Sequence, residues 1–554
     1  MEEINMKSAK DKKNKIMAAF ITLATVIVLG GITFTFFSAS VSNANNEKIN
    51  TQTATMRLVF SDNDNGVSGT LNLGESIVKK FTLENTGTVD AYGKINWVDL
   101  VNTYTSDSLT WTLEQSTTEN GTYTSVGSGK VPTSTTETTA VLKNGLLVPV
   151  NTTYYYKLTI TLNNLDINQS SDINANMHSK FNLQAGTKPG TDTIMELVAG
   201  EPSNTTDVIT KTAPEGATCT NTLAYDGTND NNLRYVGANP CNYVTFNGES
   251  PTTGTKWIMV NSETGFTGAN DIYESQEACQ TVYQGYGSPA GWECQSRTMT
   301  SGGWRIIGVM NNVDDGTGNQ ETRIKLVRND SLGKYSWDTS SSNINGGWGV
   351  NDWTQADLKN ELNGDYLDTS LTANTNWYNG DNNTQSATFD YTKRLSATAQ
   401  SLIGAAKWHL GGFTSGSNGE DMIAATMYTK ERGTTVYTGR PTEWTGKVAL
   451  IYPSDYGFAT TGGTTTNRSS CIGTISTGDW WHDYSDCYLN NWISYQWVLS
   501  PYSDDSYSVF IAAVNSVSSV AAYSDRPVRP AVYLQSGVTI SGGNGSVSEP
   551  YVLD

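Results

Sequence analysis

Few residues in this chain of 554 have the type and spacing for chemistry. Six cysteines occur, none before residue 219, as sequence neighbours: Cys219 and Cys241, Cys279 and Cys294, Cys471 and Cys487. There is no CxxC, and His178, His409 and His482 are scattered, so the clustered ligands of a zinc site are missing. An even count outside the cell implies disulfides; neighbour pairing is the expectation, although six cysteines leave other connectivities open. Glu420, Asp421, Glu431 and Glu443 have the chemistry of a glycosidase acid and base, but nothing in the sequence sets the separation that reaction needs. The acidic stretches 61–66 and Asp226–Asn232 miss the ligand spacing of a calcium loop and read as hairpin turns. No cofactor is expected, and calcium is the one ion such turns would admit. Trp480 and Trp481, flanked by Gly478, Asp479, His482 and Asp483, offer exposed rings for stacking on sugar.

A contact surface is the stronger signal. From Cys487 to Leu534, Trp492, Trp497, Val498, Leu499, Val509, Phe510, Val528, Pro530, Val532 and Leu534 form a frame of core and turn positions. Between them, Ser500 to Arg526 is mostly Ser, Ala, Tyr and Asp. Small polar residues and Tyr on a rigid frame make contact area at low cost in side-chain entropy, as antibody loops do. Tyr502, Asp504, Asp505, Tyr507, Ile511, Ala513, Ser516, Ser518, Tyr523 and Asp525 are therefore expected on one exposed ligand-binding face. Trp497, Pro501, Phe510, Arg529 and Pro530 would hold that face rigid. The competing reading is an ordinary Ser-rich loop before an edge strand.

These residues must be positioned by elements outside the cytoplasm. Lys7, Lys10, Lys12, Lys13 and Lys15 precede an uncharged apolar run, residues 16–37. As a helix it would be about 33 Å long, enough to cross a bilayer, with the lysines on the cytoplasmic side. Ser38, Ala39 and Ser40 suit a signal peptidase, so residues 1–40 are an export signal or a membrane anchor. The rest is expected to be extracellular or at the cell surface, touching the membrane only through 16–37. A net charge of −19 leaves no basic patch for nucleic acid.

From Met56 the pattern is β. Ile77, Phe81 and Leu83 mark one strand, ending at the Asn85-Thr86-Gly87 turn; Trp97 marks a second, and Trp111 with Leu113 a third. Tyr154, Tyr156, Leu158, Ile160 and Leu162 form a strict period-two stripe, the signature of a sheet buried on one face. Residues 41–186 are thus expected to form an antiparallel β-sandwich or jelly roll. Polar residues 187–215, with Pro189, Pro202 and Pro214, read as a linker carrying one short helix near 194–198. Residues 216–554 read as a second domain, α+β in class. Its landmarks are a hairpin of 304–309 with 323–328, helices over 353–362 (capped by Asp352) and 394–406, and strands at 447–452, 497–500, 508–514 and 531–534.

Gly31 to Ser38, Leu71 to Ser76 and Lys80 to Gly87 resemble the TasA/camelysin family. That resemblance implies an exported jelly roll of Gram-positive bacteria, a SipW-type signal, and self-association of the sandwich as in biofilm fibres. Camelysin is described as a protease, but no HExxH motif or Ser/His/Asp pattern is present here. The second half resembles surface proteins of gut Firmicutes through Asn242-Tyr243-Val244, Trp304 to Gly308, Trp497 to Pro501, Val528 to Leu534, Gly542 to Ser546 and Pro550-Tyr551. Its closing pattern resembles the C-type-lectin-like fold of formylglycine-generating enzymes and of the variable proteins of diversity-generating retroelements. The copper-binding cysteine pair of that enzyme would fall on Cys471 and Cys487, which a plain disulfide explains as well. The calcium and sugar motifs of C-type lectins are absent. Residues 488–526 are largely those reached from an Asn codon by changing adenines, which is the mark of retroelement diversification. The expectation is a binding protein, adhesin-like and not an enzyme, whose head meets a protein or glycan on another cell or matrix. A structural fibre subunit and an extracellular glycan hydrolase are the alternatives.

Overall fold

The computed structural model describes residues 58–554, apart from 62–66, 70, 105–107, 166–167, 173, 262–266, 274, 286–290, 340–346, 379–385, 415, 417–422, 463–467, 474–491, 494 and 514–516. The chain is mainly β, with several antiparallel sheets.

Among the described residues the first unit has nine strands: β1 (Leu58–Ser61), β2 (Val67–Gly69), β3 (Ser76–Asn85), β4 (Ala91–Asn102), β5 (Leu109–Ser116), β6 (Thr124–Lys130), β7 (Ser134–Val148), β8 (Thr153–Leu162) and β9 (Met177–Ala185). One sheet runs β1-β3-β8-β5-β6 and the other β2-β9-β4-β7, every pairing antiparallel. The Tyr154–Leu162 stripe lies in β8, where Tyr156, Leu158, Ile160 and Leu162 are buried at alternate positions. They meet Phe81 and Leu83 of β3 and Trp111 and Leu113 of β5, and the opposite sheet adds Trp97, Leu146 and Leu183 to the same core. Alternation buries one face of each sheet because successive side chains point to opposite sides.

A second core gathers residues from Ile194 to Leu553. Its main sheet runs from β10 (Ile209–Lys211) through β11 (Asn221–Tyr225), β12 (Leu233–Tyr235), β17 (Trp304–Asp314) and β13 (Tyr243–Thr245) to the closing strands Tyr551–Leu553 and Ile540–Gly542. β18 (Gln320–Arg328) pairs with β17 in the expected hairpin and carries Ala531–Tyr533 on its other side. Between β13 and β17 stands an arm of β14 (Thr252–Asn261), β15 (Thr267–Tyr273), β16 (Trp292–Ser301) and the helix Gln276–Gly285.

Several boundaries differ from expectation. Residues 187–215 are built into the second core: the helix Gly190–Glu196 buries Ile194, Val198 joins the same cluster, and β10 pairs with β11. Three buried apolar residues, Ile194, Val198 and Ile209, dock this polar stretch, with Met195 and Leu197 packed against the same core. The expected helix over 353–362 is Asp357–Asn363, because the Asp352 carboxylate accepts from Thr354 N (2.9 Å) and closes a separate turn first. The expected helix over 394–406 shortens to Ala397–Leu402, capped where Ser396 Oγ accepts from Ala399 N. It stops because Ile403 bridges Leu534 and Ala406–His409 is drawn into a strand. Tertiary pairing here overrides helix propensity.

Cys219–Cys241 and Cys279–Cys294 are bridged as expected, and Cys471 is disulfide-bonded; its expected partner Cys487 lies outside the described residues. So does the apolar run 16–37; among the described residues no helix is long and apolar enough to cross a membrane. The arm's buried Ile258, Met259, Val260 and Cys279 belong to neither main core. A bridge closing a loop of this size is worth about 3 kcal/mol, so it is a large share of the arm's stability. Replacing Cys279 and Cys294 with Ser is expected to speed hydrogen exchange throughout 252–301 and leave β8 and β17 protected. Unchanged exchange in the arm would refute its separate core.

Candidate ligand-contact surface

The stretch 496–526 forms a three-stranded antiparallel sheet: Gln496–Pro501, Ser508–Ala512 and Val517–Ala521. Trp497, Val498, Leu499, Val509 and Phe510 are buried, as the frame required, and so is Ala512. The loop 502–508 leaves this sheet and wraps around one buried amide. Asn351 Nδ2 lies 3.0 Å from Tyr502 O, 2.8 Å from Asp505 O and 3.1 Å from Ser508 O. Arg440 completes the clamp, donating to Asn351 Oδ1 and to Ser506 O (3.1 Å).

The expected face divides. Asp504 and Asp525 are exposed; Tyr502, Asp505, Tyr507, Ala513, Ser518 and Tyr523 are half-buried. Ile511 is buried, 7% exposed, and this corrects its assignment to the contact face: in the middle strand its side chain points into the core. Tyr502 leans on Phe510, and Asp505 Oδ1 accepts from Tyr507 N (2.9 Å) and Ser508 N (2.6 Å), so these two shape the loop as well as line it. Ser516, Trp480 and Trp481 lie outside the described residues.

Trp348 is the residue that sequence reasoning missed. It is 46% exposed, and its ring meets Tyr507 at 5.2 Å and Tyr523 at 6.0 Å, tilted by 54° and 81°. The three rings make a contiguous aromatic patch. A signal existed in Gly346-Gly347-Trp348-Gly349, a large ring bracketed by glycines. Gly349 has φ +79°, and a Cβ there would stand 3.0 Å from Ala522 Cβ, so only Gly lets the turn close on the sheet. Asp338 ties that turn down, accepting from Val350 N at 2.7 Å. Burial, then the charge of Asp357, pushes its carboxyl up to about 7.

Beneath this surface the second core holds an ionic cluster. Arg234 donates to Asp226 (2.9 Å) and Asp455 (2.6 Å), and Lys325 donates to the other Asp455 oxygen (2.6 Å); all four are at most 2% exposed. Burial pushes Asp455 up, but Lys325 and Arg234 outweigh it and hold it down to about 2. Lys325 faces the rings of Tyr452 (4.4 Å), Tyr533 (5.1 Å) and Trp408 (5.2 Å), and burial lowers it to about 8. Asp226, in the expected hairpin turn between β11 and β12, accepts from Thr228, Asn232 and Arg234. Of the carboxylates considered for hydrolysis, Glu431 is wholly buried, takes both bonds of Ser454, and is pushed by burial to about 7. Glu443 is exposed beside Lys407 and His409, while Glu420 and Asp421 lie outside the described residues. No group of three or more His, Cys, Asp or Glu among the described residues could hold a metal ion. No family model and no curated protein matches the chain.

A carboxyl raised to about 7 in the fold contributes stability fully below its unfolded value, and that contribution is lost as pH rises through about 7. Asp338→Asn should therefore make the fall in unfolding temperature between about pH 4 and pH 7 shallower. An unchanged slope would show that Asp338 titrates as an ordinary surface acid. Asn351→Leu takes a donor from Tyr502 O, Asp505 O and Ser508 O, of which Ser508 O keeps Tyr502 N, and is expected to cost about 1–3 kcal/mol in denaturant unfolding. A variant as stable as the parent would mean that the clamp is dispensable.

Proposed function

We propose that this chain is a secreted or surface-displayed binding protein whose second unit is the ligand-contacting head. The observation that carries this reading is the Trp348–Tyr507–Tyr523 patch. An exposed Trp with half-buried Tyr rings packed against it, among small polar residues, is the composition of binding hot spots. The ligand is a protein or glycan of another cell or matrix, met outside the cytoplasm, where disulfides persist. The two-sheet unit is read as a jelly-roll sandwich, supported by a chain that changes sheet at every step except β5 to β6. The head is read as lectin-like; a sheet uniting its early strand β13 with the final strand, Val244 opposite Tyr551, is compatible with that. Retroelement diversification of residues 488–526 belongs to the same reading, with Ile511 assigned to the frame.

One observation favours a second reading, a fibre subunit. β7 is a 15-residue edge strand, and Val141 (51%) and Leu147 (39%) on it are exposed, a surface that invites pairing with another copy. The hydrolase alternative has no such support, since Glu431 has no exposed surface.

Binding of the full chain to a glycan array and to immobilised cell-surface extracts separates these readings. A specific ligand should be found, and Trp348→Ala should weaken it by about 2 kcal/mol or more, roughly thirtyfold, without lowering the unfolding temperature by more than a few degrees. Full affinity in that variant would remove the patch from the binding surface. If instead the chain forms fibres that Val141→Lys abolishes, and no ligand is found, the fibre reading replaces it.

A further inference from the structure

The second unit also has a cleft of about 320 Å³ lined by Asn247, Thr369, Thr392, Arg394, Ser396 and Ala397. Among the described residues no carboxylate lines it, although the chain carries a net charge of −19. Arg394 is the one cation among the described lining residues and is half-buried. Its Nη1 donates to Tyr391 O (3.0 Å) and its Nη2 to Thr369 O (3.4 Å), and its plane is 5.3 Å from the Tyr391 ring centroid. Those contacts fix the guanidinium but use only part of its fork of donors. Among the described residues Arg394 makes no salt bridge. Arg234, Arg323 and Arg328 of the same head are paired with Asp226, Glu321 and Glu249. Asp368 feels the charge of Arg394, but its carboxylate is held by Ser370 N and Oγ.

The walls are set in advance. Asn247, at φ +60°, accepts from Ser396 N (2.7 Å) and donates to Arg394 O (3.0 Å), clamping both ends of the segment that bears the arginine. Ser396 Oγ accepts from Ala399 N, which leaves its hydroxyl hydrogen to donate elsewhere. A fixed, unpaired guanidinium among hydroxyls and an amide recognises a carboxylate through paired N–H bonds and recognises sugar hydroxyls beside it. The volume is at the small end of ligand sites and suits a single ring.

We propose that this cleft binds the carboxylate of an acidic sugar, as a free monosaccharide or as the end of a glycan. The site is separate from the Trp348 patch and does not rest on it. The direct test is titration of the full chain with glucuronate, N-acetylneuraminate and glucose at constant ionic strength, read by saturation-transfer NMR and calorimetry. The acids should bind and glucose should bind at least about tenfold more weakly. Arg394→Gln should lower acid affinity by about tenfold or more. Arg394→Lys, which keeps the charge but loses the fork, should recover only part of it. Trp348→Ala should leave acid binding unchanged. Equal binding of acids and glucose, no binding of any of them, or full acid affinity in a folded Arg394→Gln or Arg394→Lys protein would each overturn the proposal. Binding of lactate as tightly as glucuronate would overturn the sugar part, because a bare carboxylate would then suffice.

Discussion

The head depends on Asp455. This carboxylate joins Arg234 of β12 to Lys325 of β18, so two strands of the main sheet converge on the turn after Tyr452. It also accepts from Tyr452 N (2.9 Å), opening the short helix Pro453–Phe458. Replacing a whole buried ion cluster with apolar residues is often neutral, but deleting one member leaves a bare charge and costs several kcal/mol. The cluster thus ties β12, β18 and the 452–458 segment together through one set of buried charges. Its carboxyl, held down to about 2, contributes stability above the ordinary carboxylate range that is lost as pH falls through about 2. Glu431, raised to about 7 nearby, has the opposite sign.

From that pinned sheet outward, the residues proposed for contact stand on a packed base. The same helix Pro453–Phe458 packs against the strands Gln496–Pro501 and Ser508–Ala512, and Leu499 N donates to Ile451 O (2.9 Å). These strands give the loop 502–508 and the chain near Tyr523 a fixed base. Trp497 reaches across with Nε1 donating to Tyr335 O, locking the sheet to the strand Lys334–Ser336, which pairs with Asp525–Pro527. Charge and packing below, Tyr, Ser and Asp above, is an arrangement in which face residues can change without a change of fold.

What was legible in the sequence follows from periodicity and covalent chemistry. The Tyr154–Leu162 stripe, the β17–β18 hairpin and two neighbour disulfides depend on local pattern, and each is present. Helix limits were not legible, since Ile403 and Leu534 meet only after the sheet forms. The ionic cluster was hidden because Asp226, Lys325 and Asp455 look like solvated surface charges until β12 and β18 bring them together. Trp348 was hidden for a related reason: it is far in sequence from Tyr507 and Tyr523 and joins them only through the Gly349 turn. Ile511 shows the limit of compositional reasoning, since an apolar residue inside a Ser-rich stretch was assigned to the face yet belongs to the core.

The central claim is that the contact face can be altered without disturbing the frame. Its most direct measurement is urea unfolding of the full chain with Asp504, Tyr507, Ser518, Tyr523 and Asp525 all changed to Ala. The head should keep one cooperative transition with an unchanged denaturant slope, its midpoint lowered only by the lost ring contacts with Trp348. A broadened transition or a reduced slope would show that these residues hold the head together, and would contradict the separation of face from frame.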